Sequence, residues 1–212
     1  MSHNVESIGR ALFEARFDAR VLDALIAEIA GDVVFEPHPL GFLRCRMGVC
    51  DYGIVYLHCW PGHDRYLQSQ SLTIHQHSVT VVSYVIAGTI RDITYDWVEN
   101  AMGSKRLLQQ NRIPTGPRLA STVHVGDLVE RQSRVIQAGQ CYSIRQDRFH
   151  ETIVDWKSNV ATVAMFVGTS NRTPFAAAPL LESNDRTYCP RALADGEAAA
   201  ILSIVRSALL SR

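Results

Sequence analysis

The chain has 212 residues, of which 47% are hydrophobic, enough for one compact domain with a full hydrophobic core. Basic and acidic residues balance at 21 each, so there is no basic excess of the kind that neutralises nucleic-acid phosphates. The polar N-terminus lacks the apolar stretch of a signal peptide, and no apolar run approaches the ~20 residues that span a bilayer. We therefore expect a cytoplasmic protein without a nucleic-acid or membrane partner, folded as a single domain over residues 1–212.

Helices are predicted at both ends of the chain. Residues 5–30 carry apolar side chains at helical spacing up to Gly31, which indicates one or two amphipathic helices. A further helix is predicted from about residue 194 to residue 210. Between these helical segments, Glu36-Pro37-His38-Pro39 predicts an extended linker, because each proline disfavours the helical conformation in the residue before it.

The middle of the chain is a series of short β-like runs separated by turn residues. Many short strands flanked by helices predict an all-β sandwich or barrel. A polar excursion over 100–118 is predicted to be a surface loop, and the segment beyond Thr169 is predicted to be irregular. The predicted strands lie near 42–49, 53–60, 72–76, 79–87, 89–97, 119–125, 128–137, 140–144, 149–155 and 160–167.

His75 and His77 lie two positions apart in one predicted strand, so their side chains share a face of it. Imidazole is the commonest metal ligand in proteins, and two imidazoles on one strand are partly preorganised. The pair alone is a weak signal, because a chain with eight histidines often contains one by chance.

A third histidine, His150, strengthens the signal. The stretch GQCYSIRQDRFH from Gly139 to His150 resembles the second motif of the cupins, in which a glycine, a short strand, a tight turn and a histidine recur at fixed spacing. His75-x-His77 and the strand that follows it resemble the first cupin motif. The resemblance implies a cupin β-barrel or jelly roll with N- and C-terminal α-helices, and a metal ion held by these three histidines. Its parts would be a helical arm over 5–30, a barrel over 42–167 and a C-terminal extension and helix over 168–212.

The cupin pattern is not complete. Val81 and Val82 stand where a common first motif has a glutamate ligand, and Asp147 stands where a glycine is usual in the second. The implied site has three neutral imidazoles and open positions for substrate and O₂, which suits Fe(II). A metal-free barrel with hydrogen-bonded histidines is the alternative, although each buried imidazole would need partners.

A narrower resemblance is to cysteine dioxygenase, which binds non-haem Fe(II) and adds both atoms of O₂ to a thiol. It is carried by LHCWPGH at 57–63, IHQH at 74–77 and IAGTI at 86–90. The resemblance implies that Arg44 holds a substrate carboxylate, although a solvated surface arginine fits its position equally well. Tyr56, His58 and Trp60 are expected to share an inward face, which makes Tyr56 and His58 candidate pocket residues. His58 is either a hydrogen-bonding or basic group of the pocket or a satisfied core histidine.

That family also carries a Ser-x-His-x-Tyr triad, whose positions here are taken by Val163, Met165 and Val167. The resemblance therefore supports the fold and the metal better than it supports cysteine as substrate. We expect an Fe(II)-dependent oxygenase of a small carboxylate-bearing molecule, a thiol or an amino acid, with an outcome such as decarboxylation left open.

Two other functions remain open from the sequence. One is a non-oxidative cupin that uses Zn(II), Ni(II) or Mn(II) as a Lewis acid, and the other is a ligand-binding cupin without catalysis. The terminal helices are a candidate homodimer face. The cysteines are odd in number and lack a CxxC pair, so they are expected to be free, mostly buried thiols.

Overall fold

The structure is a computed structural model that describes residues 3–16, 19–29, 34–38, 40–62, 72–113, 116–155, 157–180, 186–187, 193 and 195–210. The helices are α1 (His3–Phe13), α2 (Ala19–Ile29) and α3 (Asp195–Leu210). The strands in chain order are β1 (Phe35–His38), β2 (Phe42–Cys50), β3 (Gly53–Trp60), β4 (Thr80–Ala87), β5 (Thr89–Glu99), β6 (Lys105–Ile113), β7 (Gly116–Gln137), β8 (Cys141–Ile144), β9 (Phe149–Val154), β10 (Val160–Val167), β11 (Phe175–Pro179) and β12 (Arg186–Thr187).

The strands form two antiparallel sheets, here called sheet 1 and sheet 2. Sheet 1 has the order β1-β2-β3-β10-β4-β8. Sheet 2 has the order β11-β6-β7-β5-β9, and β12 also pairs with β7. The predicted all-β class, with helices at both ends of the chain, is confirmed.

The two faces of sheet 1 have different neighbours. The helices cover one face, where alternate residues of the strands join a large apolar core. The residues between them point to the opposite face, where Trp60 and Val85 of sheet 1 pack with Ile90 and Ile136 of sheet 2. We call the space between the sheets the interior. The helix-covered core includes Ile8, Leu12, Leu22, Ile26, Leu57, Val163, Met165, Ile201 and Val205.

Several predicted boundaries are wrong. The segment 100–118, predicted as a surface loop, contains β6 and the start of β7, which pair with each other. The strands predicted at 119–125 and 128–137 are one continuous strand, because Gly126-Asp127 stays extended and paired with β5 and β6. Polar and apolar residues do not alternate regularly along β6 and β7, and most of their exposed residues are polar. Their composition therefore resembles that of a loop.

Segments predicted to lack regular pairing also join the sheets. The predicted linker at 36–39 is extended as expected, but its described part belongs to β1, which pairs with β2. The predicted irregular segment beyond Thr169 contains β11 and β12. Cys45, Cys50, Cys59 and Cys141 are free thiols as predicted, whereas Cys189 lies outside the described residues. Across the described part of the chain, no helix has the length and apolar character needed to cross a membrane.

Gly9 is a point of very close approach between α1 and sheet 1. A Cβ at Gly9 would overlap Cys50 Sγ. Alanine favours an isolated helix by about 1 kcal/mol over glycine, but overpacking a core costs about 1–3 kcal/mol. We therefore expect Gly9→Ala to lower the free energy of unfolding, measured by urea denaturation. Gly196→Ala in α3, where an added Cβ meets nothing within 4 Å, is the matched control and should not destabilise. Unchanged or higher stability of Gly9→Ala would contradict the contact.

Candidate metal centre

His75, His77 and His150 converge in the interior. Each offers one ring nitrogen, and these ligand atoms all lie within 4.8 Å of one another. The Nε2 atoms of His77 and His150 are 3.0 Å apart. Two nitrogens at right angles around an ion, each ~2.1 Å from it, would be separated by ~3.0 Å. The group therefore has the composition and spacing of a three-histidine metal site, and among the described residues no carboxylate joins it.

His75 is positioned by backbone pairing with two strands. Its N–H donates to the carbonyl of His150 at 3.0 Å and its carbonyl accepts from the N–H of His150 at 2.9 Å. On the other side, Gln76 N–H donates to the Phe175 carbonyl at 2.7 Å. The predicted strand over 72–76 is thus a single bridging residue, His75, which pairs with both β9 and β11. Because β9 and β11 are the two end strands of sheet 2, the bridge closes that sheet on itself.

The Nδ1 atoms of two of the histidines have partners that fix the tautomer. His75 Nδ1 lies 2.9 Å from the Thr73 carbonyl, which can only accept. His150 Nδ1 lies 3.1 Å from Asp92 Oδ1. Both Nδ1 atoms therefore carry the proton, and both Nε2 atoms present a lone pair.

Burial keeps the His75 and His77 rings neutral. Burial first, and the neighbouring His150 second, lower the pKa of His75 to about 3. Burial likewise lowers the pKa of His77 well below its ordinary value, helped by the other histidines. Neutral imidazole is the form that binds a metal ion, so these rings are ready to bind one at neutral pH.

A buried carboxylate, Asp92, orients His150. Asp92 lies on β5 and is fully buried. Its Oδ2 accepts a hydrogen bond from Arg134 Nε at 2.9 Å and forms an ion pair with Arg134 Nη2 at 2.8 Å. Burial alone would raise the pKa of Asp92, but the hydrogen bonds and charges of His150 and Arg134 outweigh it and lower that pKa. The carboxylate therefore stays ionised against the ring that it orients. Sequence reasoning missed Asp92, although its position two residues after the apolar Ile90 on a strand was a signal for an inward acid.

Glu151 supports the segment that carries His75. Strand alternation places it on the face opposite His150, where the side chain is half-buried and paired. It accepts from Thr73 Oγ1 at 3.0 Å and from the hydroxyl of Tyr95. The carbonyl of Thr73 accepts from His75 Nδ1, so Glu151 fixes the position of Thr73, which in turn orients the ring of His75.

The turn before His150 fixes His77. Asp147 has φ 63°, the left-handed conformation for which glycine is usual and which aspartate tolerates better than most residues. Its N–H donates to the His77 carbonyl at 3.2 Å, and its own carbonyl accepts from Gln76 Nε2 at 2.8 Å. Its side chain pairs with Arg172. Asp147 thus makes the turn and ties it to the ligand segment.

Strand β10 presents a different face to the site than the sequence predicted. Val163 and Met165 are fully buried beneath the helices, so they do not line the interior. The residues of β10 that face the interior are instead Thr162, Ala164 and Phe166. They lie one position away from Val163 and Met165 along the strand and therefore on its opposite face. None of them restores the Ser-x-His-x-Tyr triad. The Phe166 ring packs edge-on against His77, with ring centroids 5.4 Å apart.

The interior position of the absent glutamate ligand is apolar. Val81 is buried in a small cluster with Ile144 and Ala164. Val82 points the other way and packs against the helix-covered core. The described residues therefore give this part of the site an apolar wall.

Arg44, Tyr56 and His58 lie together on the interior face of sheet 1. Arg44 and His58 are direct neighbours across β2 and β3. The Arg44 guanidinium lies 5.2 Å from the centre of the Tyr56 ring and pairs with Glu36 at 3.3 Å. Trp60 shares this face, as predicted, whereas His63 lies outside the described residues.

His58 is buried among aromatic rings. It is 9% exposed, and its ring centroid lies 4.7 Å from that of Phe42 and 6.4 Å from that of Phe166. Its Nε2 has no hydrogen-bond partner among the described residues. His58 is thus buried as a core histidine would be, but it is not satisfied.

The burial of His58 predicts sensitivity to mild acid. Burial, and then the charge of Arg44, lowers the pKa of His58 from 6.5 to about 3. The unfolded chain binds this proton near pH 6.5 and the folded chain only near pH 3, so stability falls as the pH drops through that interval. The slope from this residue is about 1.4 kcal/mol per pH unit. We expect His58→Phe to remove that slope in urea denaturation between about pH 7 and pH 5, whereas His124→Phe, at an exposed histidine, should not. An unchanged slope in His58→Phe would contradict the prediction.

Comparison with known proteins gives little beyond this geometry. No protein-family model and no curated protein matches the chain. Among solved structures, it is similar to a chain of hydroquinone 1,2-dioxygenase PnpCD in complex with Cd²⁺ and 4-hydroxybenzonitrile, with a TM-score of 0.35 and 10% sequence identity. The match covers 58% of this chain and 63% of that chain, less than two thirds of the neighbour. A likeness at this level supports no inference about activity, so the function has to be derived from this chain's own residues.

Proposed function

We propose that this protein is an Fe(II)-dependent oxygenase that oxidises a small carboxylate-bearing substrate, cysteine or a related thiol or amino acid, with O₂. The observation that carries the proposal is the convergence of three neutral imidazole nitrogens without a carboxylate among the described residues. Neutral ligands leave the charge of a divalent ion uncompensated, which favours an anionic substrate as a further ligand. They also leave coordination positions free for it.

The residues of this chain would hold and orient the reactants. Bound Fe(II) would supply the redox chemistry with O₂. When both oxygen atoms enter a thiol, RSH + O₂ gives RSO₂H, and the sulfur provides all four electrons without an external reductant. Asp92 orients His150 and contributes a negative charge behind it. Phe166 and the apolar wall around Val81 limit the access of water.

Arg44 is the proposed anchor for the substrate carboxylate. Its side chain and that of Glu36 are 34% and 41% exposed, so their ion pair is weak and a substrate carboxylate can replace Glu36. Tyr56 lies under the guanidinium and limits its movement. Two parallel N–H bonds from the guanidinium would then orient the carboxylate.

Metal analysis and O₂ consumption test the proposed reaction. Purified protein would be analysed for metals, loaded anaerobically with Fe(II), and assayed with L-cysteine, L-homocysteine, 3-mercaptopropionate, cysteamine and a panel of amino acids. We expect iron to bind and O₂ to be consumed with a carboxylate-bearing substrate. Iron-loaded protein that consumes no O₂ with any of them would contradict the proposal. Full turnover under anaerobic conditions would instead favour a Lewis-acid lyase or isomerase.

Arg44→Gln tests the carboxylate anchor. Charge-assisted hydrogen bonds contribute about 1.5–3 kcal/mol, which corresponds to an increase in KM of roughly 10- to 150-fold. We expect that increase for L-cysteine but not for cysteamine, which lacks the carboxylate. Arg91→Gln, at an exposed arginine on β5, is the matched control and should leave both substrates unaffected. Equal effects of Arg44→Gln on both substrates would assign Arg44 another role.

A further inference from the structure

Two buried polar side chains on the interior face of sheet 1 have no hydrogen-bond partner within the part of the chain that the structure describes. They are His58, through Nε2, and Thr162, through Oγ1. Their exposed fractions are 9% and 1%. Buried polar atoms are nearly always paired, and an unpaired one destabilises the fold, so a pair of them on one surface calls for an explanation. Binding of a ligand at this surface would supply the partners that the protein does not.

The two side chains are neighbours. Thr162 on β10 lies directly across from His58 on β3. Directly paired residues project from the same face of a sheet with Cβ atoms about 5 Å apart. On the far side of His58, its partner on β2 is Arg44. Arg44, His58 and Thr162 therefore form one row across three strands, with adjacent positions about 4.8 Å apart.

The row lies beside the metal centre. Phe166 packs against both His58 and His77, with ring centroids 6.4 Å and 5.4 Å away. The rings that contact His58 are aromatic and include those of Phe42 and Trp60. The residue paired with Thr162 on its other side is Val85. The two unpaired side chains therefore lie on the same interior face as Phe166, which contacts the metal-ligand candidate His77.

We propose that His58 and Thr162 bind a hydroxyl group of the substrate while Arg44 binds its carboxylate. A hydroxyl both donates and accepts, and a neutral imidazole nitrogen with a threonine hydroxyl supplies the complementary acceptor and donor. The row places that hydroxyl one to two strand spacings, roughly 5–10 Å, from the carboxylate. The substrate class is therefore narrowed to thiols or amino acids that carry a hydroxyl group in addition to the carboxylate. This inference rests on the proposed function for the carboxylate and goes beyond it in naming a second recognised group.

Binding of matched acids to metal-loaded protein tests the proposal without turnover. The probes are butanoate against 4-hydroxybutanoate and pentanoate against 5-hydroxypentanoate, titrated by calorimetry into protein loaded with Zn(II). We expect the hydroxylated member of at least one pair to bind about 10-fold more tightly, the effect of one well-made hydrogen bond. Thr162→Val and His58→Phe should each reduce that ratio to about 1. Thr89→Val, at an exposed threonine of β5, is the matched control and should keep the ratio.

A second readout needs no ligand. Thr162→Val removes an unpaired buried hydroxyl while keeping the side-chain shape, so the Tm of the ligand-free protein should rise by roughly 2–4 °C. A fall in Tm would show that the Thr162 hydroxyl has a structural role and would overturn the proposal.

The binding outcomes separate this inference from the proposed function. If wild-type protein binds both members of each pair equally, the hydroxyl site is wrong and the carboxylate anchor stands. If neither acid of any pair binds to the metal-loaded protein, the anchor and the hydroxyl site are both wrong. A hydroxyl preference that persists in both variants would assign the recognition to another group and overturn the proposal.

Discussion

Replacing His150 with alanine is expected to remove nearly all metal from the purified protein. His150 is 2% exposed and supplies one of only three ligand nitrogens that the described residues bring together. Loss of a residue that merely supports a ligand weakens metal binding about 10- to 100-fold. Loss of the ligand itself should exceed the upper end of that range. Elemental analysis and titration with Fe(II) and Zn(II) measure the effect.

Two further variants make the His150 result interpretable. His150→Gln keeps a polar side chain of similar length, so it separates loss of the ligand from loss of packing. His124→Ala removes an exposed histidine that pairs with Glu99 away from the site, and it should bind metal like the wild type. A folded His150→Ala protein that retained its metal, as judged by circular dichroism and elemental analysis, would show that the three-histidine site is wrong.

Asp92→Asn is expected to weaken metal binding about 10- to 100-fold while leaving all three ligands in place. Asparagine keeps the shape of the side chain and can still accept from His150, but it removes the buried charge that balances the ion and holds the ring. It also leaves Arg134 without its anion. Since the Arg134 side chain is 31% exposed, water partly solvates its unpaired charge and reduces the cost of losing the anion. We expect the free energy of unfolding of the metal-free protein to fall by about 1–3 kcal/mol.

The effect of Asp92→Asn should depend on pH in a defined direction. Because the pKa of Asp92 is lower in the folded protein than the ordinary 3.8, its contribution to stability is present above pH 3.8 and is lost as the pH falls below that value. The variant and the wild type should therefore differ at neutral pH and converge in strong acid. Glu99→Gln is the control on the same strand, since Glu99 is 60% exposed and pairs with His124 at the surface. Equal losses of metal affinity in both variants would contradict a specific role for Asp92.

The convergence of the three histidines could be predicted because its signals are short-range. His75 and His77 share a strand-like spacing, and His150 ends a motif whose glycine and turn lie within twelve residues. The all-β class followed from the same kind of local alternation. Tyr56, His58 and Trp60 were correctly placed on one face because period-two alternation decides the faces of an uninterrupted strand.

The groups that tune the site could not be found in this way. Asp92 and Arg134 meet through the pairing of β5 with β7, 42 positions apart in the chain, and no local pattern encodes that partnership. On β10, an offset of one residue assigned Val163 to the interior in place of Thr162, because alternation fixes which residues share a face but not which face is inside. That choice is made by the helices, which cover Val163 and Met165.

Because His75 closes sheet 2, binding of an ion to His75 would help to keep the two end strands of that sheet paired. At this bridge the backbone of His75 and Gln76 occupies hydrogen-bonding positions on β9 and β11 at once. Uncovered strand edges invite pairing with another chain, so detachment of this segment would uncover two at the same time. A bound ion would hold His75 to His150 and thereby keep both edges covered. Metal-depleted protein is accordingly expected to self-associate, so the ion would also protect the chain against aggregation.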